Sequence, residues 1–267
     1  MSGPAIHASG EGSALLFLHA FPLDASQWDH QVAALSDRYL CLRPDFWGCG
    51  SSPPPPGSIT LDSYAADVLA ALDGLGVTDF AVCGSSMGGY TAFAVLRAAG
   101  RRVRALVLSN TRAGADTDDT RADRAAMVER IRAGGTEAIV EPMTQRMLCV
   151  RCREEVHIAD PVRGRIRRTT ADGAVAAVQA MAARPGSTPM LARIDVPTLV
   201  IGGGADPIVP VDEAQAMAAA IPGAVVEVLD GSAHLCNLEQ PALFSRLVGD
   251  FLDASYATQT TGGGGGG

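Results

Sequence analysis

One serine of this sequence lies in a pattern that suits a catalytic nucleophile. Residues 84–88 read GSSMG, so Ser86 occupies the serine position of the pattern G-x-S-x-G. The pattern directly follows the apolar run 80–83 and opens a helical pattern over residues 87–98, and a strand, tight turn and helix in this order expose a serine hydroxyl at the end of a sheet. The alternative is a glycine-rich helix start that binds an anion or only turns the chain.

A serine hydroxyl becomes a useful nucleophile only when a base removes its proton, so we looked for a histidine at a later strand end. His234 follows the apolar run 225–229 and precedes a helical pattern that starts near Pro241, which places it at the same sheet edge as Ser86. The alternative for His234 is a loop histidine without a role. The other four histidines have less suitable positions: His7, His19, His30 and His157.

An acid is needed to hold the tautomer of the base, and Asp206 is the best candidate. It lies just past the apolar run 198–201, and it gives the chain order Ser, Asp, His. The alternative is an aspartate that caps the helix after Pro210. The rival position, the loop after residues 103–108, begins with Asn110 and has no acid before Asp116, so the sequence favours Asp206.

Attack on a carbonyl places negative charge on its oxygen, which needs backbone N–H donors nearby. Met87 supplies one donor from the start of its helix. We expect the other from Phe21, in the loop after the first buried strand. His19, at the end of that strand, is then structural.

The elements that must position these residues are strands alternating with helices. Apolar runs of strand length recur along the chain, and the best helical pattern begins after Thr60 and stops at Gly76. This alternation predicts an α/β fold with a mainly parallel sheet and helices on both faces. The predicted strands are residues 14–19, 39–42, 80–83, 103–108, 198–201 and 225–229.

The alternation breaks between Asn110 and Arg193, where helical patterns over residues 117–132, 136–148 and 169–183 replace strands. Breaks are expected at the pair Gly134-Gly135 and at Asp160-Pro161. We therefore predict a core of residues 1–109 and 194–257, an inserted helical cap over residues 110–193, and a flexible glycine-rich tail at residues 258–267.

Composition excludes several classes of protein. The chain has 267 residues and a net charge of −8, and all 21 of its basic side chains are arginine, which excludes lysine Schiff-base chemistry and the P-loop phosphate site. We expect no nucleic-acid partner and, without a signal-like start or a membrane-length apolar run, a cytoplasmic protein that binds no membrane. Oligomeric state is left open. Cys149 and Cys152 form a single C-x-x-C, for which burial is favoured over metal or redox use.

Several motifs together resemble one superfamily. The chain is similar to the α/β-hydrolases, and especially to small esterases, lactonases and perhydrolase-like members near 3-oxoadipate enol-lactonase. The similarity runs from about Leu15 to about Leu252, on the segments LHAFPLDASQW, RPDFWGCGSS, CGSSMGGY, IGGGADPIVP and GSAHLCNLEQP. The resemblance implies an α/β-hydrolase fold, a Ser86, Asp206 and His234 triad, an oxyanion hole from Phe21 and Met87, and no cofactor or metal. It also implies hydrolysis of a small ester or lactone through an acyl-enzyme.

Residues near the mouth of such a site are candidates for substrate binding. Trp47 and Cys236 lie on loops expected there, and Met143 is one of several methionines in the insertion that suit an adaptable apolar pocket. Arg112 stands where the insertion leaves the sheet, and it either pairs with a substrate carboxylate or fixes the insertion by a salt bridge.

Three other functions stay open at this point. Perhydrolase or acyl-transfer activity and carbon–carbon bond hydrolysis both use the same triad. A ligand-binding protein of hydrolase fold with little turnover would keep the fold without the chemistry.

Overall fold

The computed structural model describes the backbone of residues 3–261 and the side chains of residues 3–257. A seven-stranded sheet forms its centre, in the order β1-β3-β2-β4-β5-β6-β7. Strand β1 pairs antiparallel with β3, and the remaining pairs are parallel. The strands are β1 (Ile6–Ser9), β2 (Ser13–Leu18), β3 (Tyr39–Pro44), β4 (Phe80–Ser85), β5 (Val103–Ser109), β6 (Thr198–Gly203) and β7 (Val225–Leu229). The mainly parallel α/β sheet predicted from the alternation is confirmed.

The central strands are buried on both faces. In β2, Leu15 and Phe17 enter one apolar core, and Leu16 and Leu18 enter the core on the opposite face. Alternate side chains of a strand point to opposite faces, so a strand covered on both sides reads as a continuous apolar run. Strand β1 is short and only partly buried, and sequence analysis gave it no element of its own.

Helices cover both faces of the sheet, and α2 begins where the sequence predicts, directly after Thr60. A capping box between Thr60 and Ser63 begins α2, where the side chain of each residue accepts a hydrogen bond from the backbone N–H of the other. The core helices are α1 (Asp29–Leu35), α2 (Leu61–Gly74), α3 (Met87–Ala99), α9 (Val211–Ala220), α10 (Cys236–Glu239) and α11 (Pro241–Thr261). Helix α11 includes the first four residues of the predicted tail, and residues 262–267 lie outside the described residues. Within the described part, no helix is both long enough and apolar enough to cross a membrane.

Five helices separate β5 from β6, and we call residues 110–193 the helical insertion. Its helices are α4 (Asp118–Gly134), α5 (Glu137–Met147), α6 (Val150–Glu154), α7 (Val156–Arg167) and α8 (Ala171–Ala183). The break predicted at Asp160-Pro161 is wrong, because Pro161 lies inside α7. Burial of Ala159, Val162 and Ile166 on one side of α7 outweighs the loss of one backbone hydrogen bond at the proline.

At one point, which we call the glycine joint, the backbone of the helical insertion packs directly on the backbone of the core through Gly48 and Gly173. Gly48 has a φ of +74°, and a Cβ placed on it would lie 2.6 Å from the Cα of Gly173 in α8. The amide of Thr170 also donates to the carbonyl of Gly48 at 2.7 Å. The insertion therefore packs on the core here at a separation that leaves no room for a side chain.

A buried carboxylate fixes the start of the helical insertion. Asp116 binds Arg184 at 2.6 Å and Arg112 at 3.3 Å, and it also contacts Arg124. Burial acts to raise the pKa of Asp116, but the hydrogen bonds and charges of Arg124 and Arg184 outweigh it and hold the pKa below the usual value of 3.8.

We expect Asp116→Asn to destabilise the fold by about 3 kcal/mol at pH 7, since it leaves buried guanidinium groups without their counter-charge. A depressed folded pKa gives stability that is present above the unfolded pKa and is lost as pH falls through the folded pKa. The difference between wild type and variant should therefore be constant from pH 7 to 5 and shrink below about pH 4. Urea unfolding across this range measures it. Asp118→Asn, at an exposed ion pair with Arg121, is the control and should behave like wild type.

Candidate active site

Ser86 occupies a sharp turn between β4 and α3. Its φ is +53°, a conformation that costs a non-glycine residue energy, and Met87 begins the helix directly after it. Glycines make the turn feasible: a Cβ on Gly84 would lie 2.3 Å from the carbonyl oxygen of Gly88, and one on Gly88 would lie 2.0 Å from that of Leu18. The G-x-S-x-G pattern therefore forms the strand, turn and helix that its spacing predicts.

His234 and Asp206 form a buried hydrogen-bonded pair. The Nδ1 of His234 is 2.7 Å from Oδ2 of Asp206, and Asn110 Nδ2 donates to the same oxygen at 2.9 Å. The other carboxylate oxygen accepts from the amides of Ile208 and Val209. Burial acts to raise the pKa of Asp206, but the His234 imidazole and these hydrogen bonds outweigh it, so the pKa is lowered and Asp206 stays ionised.

Asn110 is a residue of this cluster that sequence reasoning did not select. It has a φ of +46°, and besides Asp206 its Nδ2 donates to the carbonyl of Ala233 at 3.1 Å. Its Oδ1 accepts from the Ser109 hydroxyl and from Cys236 Sγ. Cys236 is fully buried against Asn110, so the structure does not bring it to the mouth of the site. The available signal was position, because Asn110 is the first residue after a buried strand at the carboxyl edge of the sheet.

A cavity of about 350 Å³ opens above this cluster and brings together most of the predicted site residues. Ser86, His234 and Phe21 line it from the core, and Arg112 and Met143 line it from the helical insertion. A cavity of this size suits a small organic molecule.

Trp47 is not brought to this cavity. Its side chain is buried, and its indole Nε1 donates to Asp67 at 2.9 Å. The next residue, Gly48, packs against Gly173 of α8, and Trp47 is not among the residues that line the cavity. The expectation that Trp47 lies at the mouth of the site is therefore wrong.

The loop that carries Phe21 is held by hydrogen bonds on both sides. His19 Nε2 accepts from the Phe46 amide at 2.8 Å, which leaves Nδ1 to donate to the carbonyl of Ala20 at 2.9 Å. The Ala20 amide in turn donates to Gln27 Oε1 at 2.7 Å. Both ring nitrogens of His19 are thus occupied within the core.

The helical insertion gives the cavity a positive rim. Four arginines line it, of which Arg112 and Arg124 pair with the buried Asp116, while Arg130 and Arg146 lie with one lining acid of the described residues, Asp123. Arg130 and Arg146 are exposed and form no ion pair with another described side chain. The net charge of the chain is negative, so its composition gives no sign of this local excess of positive charge. The excess depends on how α4 and α5 face the sheet.

The sheet, the turn at Ser86 and the inserted helices are features of a hydrolase fold. The model of the alpha/beta hydrolase family matches residues 15–247 of the chain. This protein therefore belongs to the alpha/beta hydrolase family.

Similar proteins of known name include lactonases and an esterase. The chain is 30% identical over 236 residues to 3-oxoadipate enol-lactonase 2 of Acinetobacter baylyi, which covers 88% of this chain and 86% of that protein. Among solved structures, a thermophilic esterase from Thermogutta terrifontis, in a malate-bound form, superimposes with a TM-score of 0.91 at 34% identity, over 94% of this chain and 93% of that one. The enol-lactonase from Burkholderia xenovorans gives a TM-score of 0.86 at 29% identity, over 93% and 96%.

Proposed function

We propose that this protein hydrolyses small carboxylic esters or lactones through an acyl-enzyme on Ser86. The observation that carries the proposal is the buried pair of His234 and Asp206, whose histidine lines the same cavity as a serine on a strained turn. The esterase and enol-lactonase names of similar proteins support the ester bond as the target.

In the proposed reaction, Asp206 holds the proton of His234 on Nδ1, so Nε2 is the base that takes the proton of the Ser86 hydroxyl. The serine oxygen attacks the carbonyl carbon, and the N–H groups of Phe21 and Met87 stabilise the resulting oxyanion. His234 then protonates the leaving alcohol, and a water activated by the same histidine releases the acid. Apart from that water, side chains and backbone supply the groups that these steps use.

The helical insertion is, in this proposal, the cap that selects the substrate. Met143, Met127 and Met181 line the cavity with adaptable apolar side chains, and Phe21 completes this surface from the core. The acyl part of a small substrate packs against them in this proposal.

Covalent labelling tests the proposal. A fluorophosphonate probe should attach to Ser86 in the wild-type protein, and the labelled peptide should be identified by mass spectrometry. Prior incubation with p-nitrophenyl acetate should slow the labelling, since both react at one hydroxyl. The proposal fails if the folded protein is not labelled, or if the label lies on another serine.

Arg112 gives a prediction about substrate charge. It lines the cavity, one terminal nitrogen is 3.3 Å from Asp116, and 21% of its side chain is exposed, so part of its guanidinium is open to an anion. We expect wild type to prefer an ester with a carboxylate on its acyl chain over a neutral ester of equal length. Arg112→Gln should lower that preference in kcat/KM by about tenfold, the effect of one charge-assisted hydrogen bond.

The matched control is Arg132→Gln, on the same helix as Arg124 but paired with Glu129 at an exposed site. It should leave the preference unchanged. If Arg112→Gln slows both esters equally, Arg112 serves to fix the insertion and does not bind the substrate carboxylate.

A further inference from the structure

Two cysteines that the proposed reaction does not use are in direct contact. Cys149 and Cys152 have their sulfur atoms 2.9 Å apart at the start of α6, and the Cys152 amide also donates to Cys149 Sγ at 3.3 Å. Both are buried, Cys149 with 8% of its surface exposed and Cys152 with none. The C-x-x-C spacing thus brings together two free thiols.

This pair is connected to the loop that carries His234. One oxygen of the buried Glu239 carboxylate accepts from the Cys149 amide at 2.8 Å, and the other accepts from the Ala233 amide at 2.7 Å. Two residues before Cys149, the carbonyl of Met147 accepts from the His234 amide at 3.0 Å. The backbone on both sides of His234 therefore depends on the segment that contains the cysteines.

A bound metal ion fits this arrangement poorly, although Glu239 lies near both sulfurs. Two thiolates on one tetrahedral zinc ion are separated by about 3.8 Å, given Zn–S bonds of about 2.3 Å. The observed 2.9 Å is shorter, and both oxygens of Glu239 already accept backbone hydrogen bonds. A disulfide, with sulfurs about 2.05 Å apart, needs only a small further approach.

We propose that Cys149 and Cys152 are a reversible dithiol–disulfide pair that peroxide oxidises, and that the disulfide slows the reaction at Ser86 by shifting the His234 loop. The regulatory half of this proposal rests on the proposed function. Cys149 is the more exposed of the two, so it meets the oxidant first. Burial, and next the contact with Cys149, raise the pKa of Cys152 to about 12, which disfavours its own attack on peroxide.

The chemistry needs hydrogen peroxide as the oxidant. The Cys149 thiolate attacks one peroxide oxygen and becomes a sulfenic acid, while hydroxide leaves. Cys152 then attacks the Cys149 sulfur, the S–S bond forms, and the sulfenic oxygen leaves as water. In total, two thiols and one peroxide give one disulfide and two waters, and a small dithiol reverses the change by exchange.

The experiment treats the purified protein with hydrogen peroxide, then unfolds it in denaturant, blocks the remaining thiols with N-ethylmaleimide and measures the intact mass. We expect wild type to lose two hydrogen atoms and two alkylation sites, with peptide mapping linking Cys149 to Cys152, and dithiothreitol to reverse both changes. Oxidation should lower kcat for p-nitrophenyl acetate by about tenfold with little change in KM, because a small displacement of His234 affects the reaction step more than binding. Cys152→Ser should keep its activity after the same treatment, as should its matched partner Cys149→Ser, whereas Cys49→Ser should respond like wild type.

Three results would overturn the proposal. In the first, both thiols of wild type are still alkylated after the peroxide treatment, so no disulfide has formed. In the second, the reduced protein retains zinc through dialysis, which would make the pair metal ligands. Equal kcat in the linked and reduced forms would overturn the coupling to His234. The mass measurement does not depend on hydrolysis, so a failure of the proposed function is distinguishable from a failure of the disulfide.

Discussion

Replacing Ser86 with alanine is expected to lower kcat for p-nitrophenyl acetate by at least about 10⁴-fold, because in the proposed reaction the Ser86 hydroxyl carries the acyl group. The variant should fold normally, and its thermal unfolding midpoint should not fall, since alanine at a φ of +53° carries little more strain than serine. Initial rates with active-site concentration taken from total protein measure the effect.

The control is Ser85→Ala, one residue earlier. Its hydroxyl is buried without a hydrogen-bond partner, and Ser85 does not line the cavity. We expect it to keep the wild-type rate. Activity that survives in Ser86→Ala at more than a few per cent of wild type would assign the reaction to another group.

The second large effect is expected for Asp206→Asn, which should lower kcat by about 10⁴-fold without unfolding the protein. The amides of Ile208 and Val209 donate to Oδ1, so the oxygen of the new side chain takes that position and its NH₂ faces His234. An NH₂ group there can only donate, so it loses the hydrogen bond from Asn110 and forces the proton of His234 onto Nε2, which removes the base.

Asp230→Asn is the matched control, because Asp230 lies four residues before His234 but is exposed. It should retain wild-type kcat. A loss of less than tenfold in Asp206→Asn would mean that another carboxylate orients His234, and the buried Glu239, which holds the amide of Ala233, would be the first to test.

The central fold could be predicted because its determinants are local. Residues 80–83 read as a continuous apolar run, residues 103–108 read as an apolar run interrupted only by Arg104, and the structure places the buried strands β4 and β5 there. Strand β1 escaped prediction because four half-buried residues at a sheet edge carry almost no periodic signal. The predicted break at Pro161 failed for the opposite reason. The proline is a strong local signal for a helix break, but tertiary packing in α7 outweighed it.

In the candidate site too, residues with a local sequence signal could be predicted, whereas residues that depend on tertiary contacts could not. The turn at Ser86 has a local signature, and Asp206 and His234 could be chosen from strand ends and chain order. Asn110 could not, because its role depends on a positive φ and on contacts with residues 96 and 123 positions away. Trp47 was misplaced because a loop near the sheet edge can turn either way, and only its packing against α8 decides the direction.

The glycine joint between Gly48 and Gly173 limits how such an enzyme can be altered. At this joint two backbones touch, so a larger residue on either side would force the insertion and the core to shift apart. A designer who wants a new substrate should therefore leave the joint unchanged and vary Met143, Met127 and Arg112, whose side chains face the cavity. The backbone contact then stays as it is, and substrate selectivity is changed by single substitutions of side chains that line the cavity.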